Sequence, residues 1–278
     1  MTDRIVTIVA GYDGSPGSAD ALAWAAEDAR LRGAALAVCH AWSCGYSTAP
    51  DVAADPARRY AEAVLTEGMR QAGAGSTVQP VTPLLVEGPP ALSLCTQSDA
   101  ATMVVVGSRG RGGMAGQGLG SVSLQVAAHA RGPVTVVRGH WQTAPGQAPA
   151  PVLVGGDGSA GSLLALAFAA DEAALREVPL IAVCALADSA SQLGCARAVQ
   201  ADFESAVGQA AADHPQVTVQ QRIEQGGPRR ALLDAATSAQ LLVLGARGRG
   251  GMREMSLGSV SQAILQHSHC PVSVVRPR

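Results

Sequence analysis

Two glycine-rich runs in this chain have the residue types and spacing to hold phosphate. Gly107-Ser-Arg-Gly110 is followed by nine residues and then Gly120-Ser121, and Gly245-Ala-Arg-Gly248 by nine residues and then Gly258-Ser259. Both read G-x2-G-x9-G-S, and both contain R-G-R-G-G-M, at Arg109 to Met114 and Arg247 to Met252. Glycines let a backbone approach an anion closely, and a helix N-terminus offers free N–H groups with a partial positive charge. Ser121 and Ser259 add a hydroxyl for a phosphate or for its Mg²⁺. Arg109 and Arg247 suit phosphate as well, whereas Arg111 and Arg249 read as solvated loop residues. An acid recurs too. Asp13 stands in Val9-Ala-Gly-Tyr-Asp-Gly-Ser15, and Asp157 in Leu153-Val-Gly-Gly-Asp-Gly-Ser159. Each is placed to accept hydrogen bonds from a base or a sugar.

Absences narrow the chemistry. All 20 basic residues are Arg, so neither a Walker-type lysine nor a Schiff-base lysine exists. No nucleophile–base pair stands out by spacing, and His267-Ser-His269 lacks partners at metal-ligand spacing. No strand–G-x-G-x-x-G–helix unit with a downstream acid marks a dinucleotide site. Nucleotide binding without dedicated catalysis is the expectation. A slow ATPase, or a phosphoryl- or adenylyl-transfer enzyme, is the alternative.

The elements that position these runs alternate. Ile5 to Val9 reads as a buried strand, and Ser18 to Arg32 as a helix with apolar residues at three- and four-residue spacing. A strand at Leu36 to Cys39, a helix at Pro56 to Ala72, and an extended segment at Val78 to Val86 follow. Pro80 and Pro83 suit that segment to a sheet edge. A helix at Pro90 to Ser98, a strand at Thr102 to Val106, a helix at Ser121 to Ala130 and a strand at Val134 to Val137 complete the unit. The pattern then repeats from Val152 to Val275. The aspartate motif repeats at an offset of 144 and the glycine motif at 138, so the second copy is six residues shorter in between. Trp42 to Ala57 is the expected place. Cys39 and Cys184 fall at matching places in this reading, as do Trp24 and Phe168. Alternating strands and helices predict an α/β fold with parallel sheets covered on both faces. The predicted domains are 1–138 and 152–278, joined by a linker at 139–151 rich in Pro, Ala, Gly and Gln.

The chain has 278 residues, 47 % hydrophobic and 15 % charged, which fits a well-buried globular protein. A net charge of −2 leaves no electrostatic footprint for nucleic acid. No apolar run approaches the ~20 residues that span a bilayer, and the N-terminus lacks a signal-peptide core. A cytoplasmic location with no membrane partner is expected. The six cysteines form no C-x-x-C pair and read as small buried hydrophobes.

These motifs, with the endings His129 to Arg138 and His267 to Arg276 (H-x3-P-V-x-V-V-R), resemble the universal stress protein family in its tandem form. The resemblance covers nearly the whole chain. It implies two doubly wound five-stranded domains of strand order 3-2-1-4-5, akin to the adenine nucleotide α-hydrolases, that bind ATP with or without Mg²⁺. Carried over, the first site comprises Gly11, Tyr12, Asp13 and Ala41 near base and ribose. Gly107 lies against the ribose, Gly110, Gly120 and Ser121 contact the phosphates, and Arg109, Val122 and Ser123 complete the site. The second comprises Gly155, Gly156, Asp157, Ala185, Gly245, Arg247, Gly248, Gly258, Ser259, Val260 and Ser261. The protein itself supplies no metal site. The resemblance also implies pairing through the fifth strands, as an internal pseudo-dimer. The edge left by the fifth strand suits a homodimer between chains as well, and an unidentified regulatory protein partner is expected.

Overall fold

A computed structural model describes residues 6–43, 50–74, 80–112, 118–138, 148–186, 193–249 and 256–277, with backbone alone for 50–55, 74, 186 and 193–199. The chain divides into two compact units, Met1–Val137 and Arg138–Arg278.

In the first unit the order is β1 (Thr7–Gly11), α1 (Pro16–Arg32), β2 (Ala35–Trp42), α2 (Pro50–Ala74), β3 (Val81–Glu87), α3 (Pro90–Gln97), β4 (Met103–Gly107), α4 (Ser121–His129) and β5 (Val134–Val137). All described pairings are parallel and give the order β3-β2-β1-β4-β5. The second unit repeats it with β6 (Val152–Gly155), α5 (Ala160–Leu175), β7 (Leu180–Leu186), α6 (Leu193–Asp213), β8 (Val219–Gln225), α7 (Pro228–Ala236), β9 (Leu241–Gly245), α8 (Ser259–His267) and β10 (Val272–Val275). Its order is β8-β7-β6-β9-β10, again parallel. The expected α/β architecture, with strand order 3-2-1-4-5 in each unit, is what is seen. No described helix is long and apolar enough to cross a membrane.

Local chemistry accounts for the elements. The central strands β1, β4, β6 and β9 are runs of Val, Ile, Leu and Ala that lie almost wholly buried, as strands covered on both faces must. Helix α1 begins where the Ser15 hydroxyl accepts the Ser18 N–H at 3.2 Å. It ends at Gly33, which takes the left-handed conformation with φ 62°. Ser159 caps α5 in the same way, over Ser162. Trp24, Leu22 and Ile8 anchor one core, and Phe203, Leu153 and Leu166 the other.

Four details differ from the sequence expectation. Helix α2 starts at Pro50, so Pro56 lies inside it. Pro56 is exposed, and the backbone hydrogen bond it costs is lost on a solvent-facing turn. The missing six residues are not confined to a loop, because α6 has 21 residues where α2 has 25. Residues 44–49 and 187–192, and most of the expected linker, 139–147, lie outside the described residues. Phe168 is only half-buried, whereas its counterpart Trp24 is fully buried.

The cysteine match is also off by one. Tyr12 N–H bonds Cys39 O at 2.8 Å and Gly156 N–H bonds Val183 O at 2.9 Å, so Cys39 corresponds to Val183 and His40 to Cys184. In a strand, a shift of one residue turns a side chain to the opposite face.

Candidate functional site

The strand order reverses between β1 and β4, where an open parallel sheet forms a crevice beyond its carboxyl ends. Asp13 follows β1 there, and Gly107 ends β4 beside it. The glycine loop leaving β4 folds over the aspartate. Asp13 Oδ1 accepts the Ser15 N–H at 3.0 Å, and its Oδ2 accepts the Arg111 N–H at 3.0 Å. A Cβ on Gly110 would run into Oδ2, so only glycine lets the loop sit this close. Burial works against charge on Asp13, but hydrogen bonds from Ser15, Arg111 and Ser18 outweigh it and hold its pKa below the ordinary aspartate value. The second unit repeats the geometry. Asp157 accepts the Ser159 N–H at 3.0 Å and the Arg249 N–H at 2.8 Å, and its pKa is lowered against burial by the same kinds of bond, from Ser159, Arg249 and Ser162.

A second close approach explains the first glycine of each motif. A Cβ on Gly107 would strike the backbone of Gly17 in α1, and one on Gly245 would meet Gly161 in α5 at 2.6 Å. These glycines seat α1 on β4 and α5 on β9. The hydroxyl of Ser123 donates to Gly107 O at 2.6 Å and that of Ser261 to Gly245 O at 2.8 Å, tying the start of the following helix back to the strand end.

Helices α4 and α8 begin differently from α1 and α5. Their N-caps are Gly120 and Gly258, and no side chain caps either helix. Both starts face a cavity. The first cavity measures about 610 Å³ and the second about 310 Å³, within the range of small-molecule sites. The first is lined by every residue expected for it: Gly11, Tyr12, Asp13, Ala41, Gly107, Arg109, Gly110, Gly120, Ser121, Val122 and Ser123. The second is lined by Gly155, Gly156, Asp157, Ala185, Gly245, Arg247, Gly248, Gly258, Ser259, Val260 and Ser261. The structure brings each set together around one space.

Several lining residues were missed in the sequence. Arg111 and Arg249 are not simply solvated. The Arg111 guanidinium lies 5.0 Å from the Tyr60 ring centroid. Arg249 pairs with Asp202 Oδ2 at 3.0 Å and donates to Gly158 O at 3.2 Å. Their recurrence in R-G-R-G-G-M was a signal that could have marked them. His40 lines the first cavity, and being unrepeated it gave no such signal. The units also fill one niche differently. Tyr12 packs against Gly68 of α2, whereas the equivalent Gly156 faces Phe203 of α6, whose ring would overlap any Cβ placed there.

The sequence model of the universal stress protein family matches residues 5–138 and again 150–276. The chain belongs to the universal stress protein family. Its relatives include a universal stress protein of Mycobacterium tuberculosis, 37 % identical over 285 residues that cover 97 % of this chain and 96 % of the relative. Another, from Mycolicibacterium smegmatis, is 37 % identical over 298 residues, covering 98 % and 97 %. The crystal structure of a universal stress protein from Archaeoglobus fulgidus matches the fold with TM-score 0.75 at 22 % identity, over 98 % of each chain. Each repeat of this chain is thus one universal stress protein domain, and the two cavities occupy equivalent places in the two repeats.

Proposed function

We propose that this universal stress protein binds ATP, with or without Mg²⁺, in both cavities and acts as a nucleotide-dependent regulator without dedicated catalysis. One observation carries the reading. The first turns of α1 and α5 are capped by Ser15 and Ser159, whereas α4 and α8 start on glycine, without a side-chain cap, at a cavity wall. Uncapped N–H groups beside a glycine loop are suited to phosphate oxygens. Arg109 and Arg247 stand at the same rim. Family membership supports a role in a stress response.

What the acids do supports the non-catalytic part of this reading. Asp13 and Asp157 each accept two loop N–H groups. A carboxylate held in this way, with its pKa lowered, is a weak proton acceptor. The test is to denature the purified protein and identify the released nucleotide by anion-exchange chromatography, then titrate the empty chain with ATP. One ATP per cavity is expected. No binding at millimolar ATP overturns the reading, and ADP released in place of ATP, with metal-dependent turnover, overturns its non-catalytic part.

A further inference from the structure

We propose that His40 selects the base in the first cavity, accepting the exocyclic amino group of a 6-aminopurine on its Nε2 lone pair. This rests on the nucleotide reading above.

His40 is only 7 % exposed, yet it lines the first cavity. Its Nδ1 lies 2.7 Å from the carbonyl oxygen of Tyr12. A carbonyl oxygen only accepts, so Nδ1 carries the proton, and in the neutral ring Nε2 is a bare acceptor. No described residue is seen to donate a hydrogen bond to Nε2. His40 borders the cavity next to Ala41, where the family resemblance places the base.

The tautomer makes this a one-way reader. Adenine carries an amino donor at C6, and guanine and hypoxanthine carry a carbonyl acceptor there. An amino group meets the Nε2 lone pair, whereas a carbonyl sets lone pair against lone pair. His40 cannot move its proton to Nε2 without abandoning Tyr12 O. A site that hydrogen-bonds one substrate group rejects the analogue lacking it, because its own polar atom is then left unpaired.

The second cavity lacks this reader. The strand register puts Cys184 at the place of His40. Cys184 is fully buried and is not among the residues lining that cavity. The two sites of one chain therefore differ in base selectivity.

The test is competition between ATP and inosine triphosphate on the full chain, for wild type and His40→Phe, which keeps a ring but loses both nitrogens. One wild-type site is expected to prefer ATP by roughly tenfold or more, and the other to show little preference. In His40→Phe the first preference collapses to that of the second site. In wild type labelled with ¹⁵N-histidine, the His40 Nε2 resonance shifts with ATP and not with inosine triphosphate, a readout that does not depend on the variant folding. A preference that survives His40→Phe, or an Nε2 signal that ATP leaves unmoved, overturns the proposal while the nucleotide reading stands. If neither nucleotide binds, both readings are overturned.

Discussion

The carboxylate of Asp13 accepts the backbone N–H of Arg111 at 3.0 Å, across 98 residues of sequence. Asp157 and Arg249 repeat the contact at 2.8 Å across 92. Each aspartate thus fastens the glycine loop to the end of the first strand of its unit and sets the mouth of the cavity. Removing the acid by Asp13→Ala or Asp157→Ala frees two loop N–H groups. The expected loss is about 1.5–3 kcal/mol per unit, the usual range for hydrogen bonds to a charged group, read from urea denaturation. ATP affinity at that site falls with it. An unchanged midpoint would sink the fastening role.

The same bonds set a pH dependence. Both aspartates have a folded pKa below the ordinary value. As pH falls from about 4, near the unfolded aspartate pKa, the unfolded chain takes up protons before the folded one does. The stabilisation is therefore full above that pH and is lost as pH falls through the lowered folded values. Urea midpoints measured from pH 6 down to pH 3 (roughly the range that brackets carboxylate titration) are expected to drop more steeply for wild type than for the Asp13→Ala/Asp157→Ala double variant.

Phe203 and Gly156 share a niche that Tyr12 and Gly68 fill from the other side in the first unit. Phe203 is fully buried, so Phe203→Ala should cost about 3–5 kcal/mol. Gly156→Tyr alone overpacks the niche. Combined with Phe203→Ala it recreates the arrangement of the first unit, so the double variant should be more stable than the two single effects summed. Simple additivity in thermal unfolding would show that the two positions do not compete for space.

The second arginine of each motif holds the loop to its unit's second helix by different physics. Arg249 pairs with Asp202, whose side chain is 63 % exposed, so Asp202→Ala should cost under about 1 kcal/mol. That cost should fade in high salt. Tyr60→Ala removes a cation–π contact worth about 0.5–1 kcal/mol at an exposed site, and its effect should depend less on salt. Urea titrations at low and high salt separate the two.

Burial pushes the thiols of Cys39 and Cys270 up to about 11, and burial with nearby acids raises Cys184 as well. Near neutral pH these thiols are protonated and shielded. Iodoacetamide should leave all three unmodified in the native protein and alkylate them once urea unfolds it, mapped by mass spectrometry. Native labelling at Cys39 would contradict its burial.

Much of this arrangement is legible from short-range rules. The glycine motifs, the aspartates and the alternation of apolar runs with helices are local signals, and parallel sheets leave few topologies open. Each expected lining residue borders its cavity because the motifs follow strand ends, and the crevice forms at strand ends. Matching strings was less reliable over single residues. Ala-Val-Cys occurs at 37–39 and at 182–184, but pairing with β1 and β6 shifts the two by one.

The duplication, the parallel α/β class and the paired glycine loops are written in local periodicity and glycine spacing, so the chain shows them unfolded. That Arg111 and Arg249 reach across to second helices, that Phe203 stands in for the missing side chain at Gly156, and that His40 turns one nitrogen to Tyr12 O emerges only on folding. Those relationships join residues dozens of positions apart or depend on strand register. Close packing, rather than local propensity, sets which side chain fills a given space.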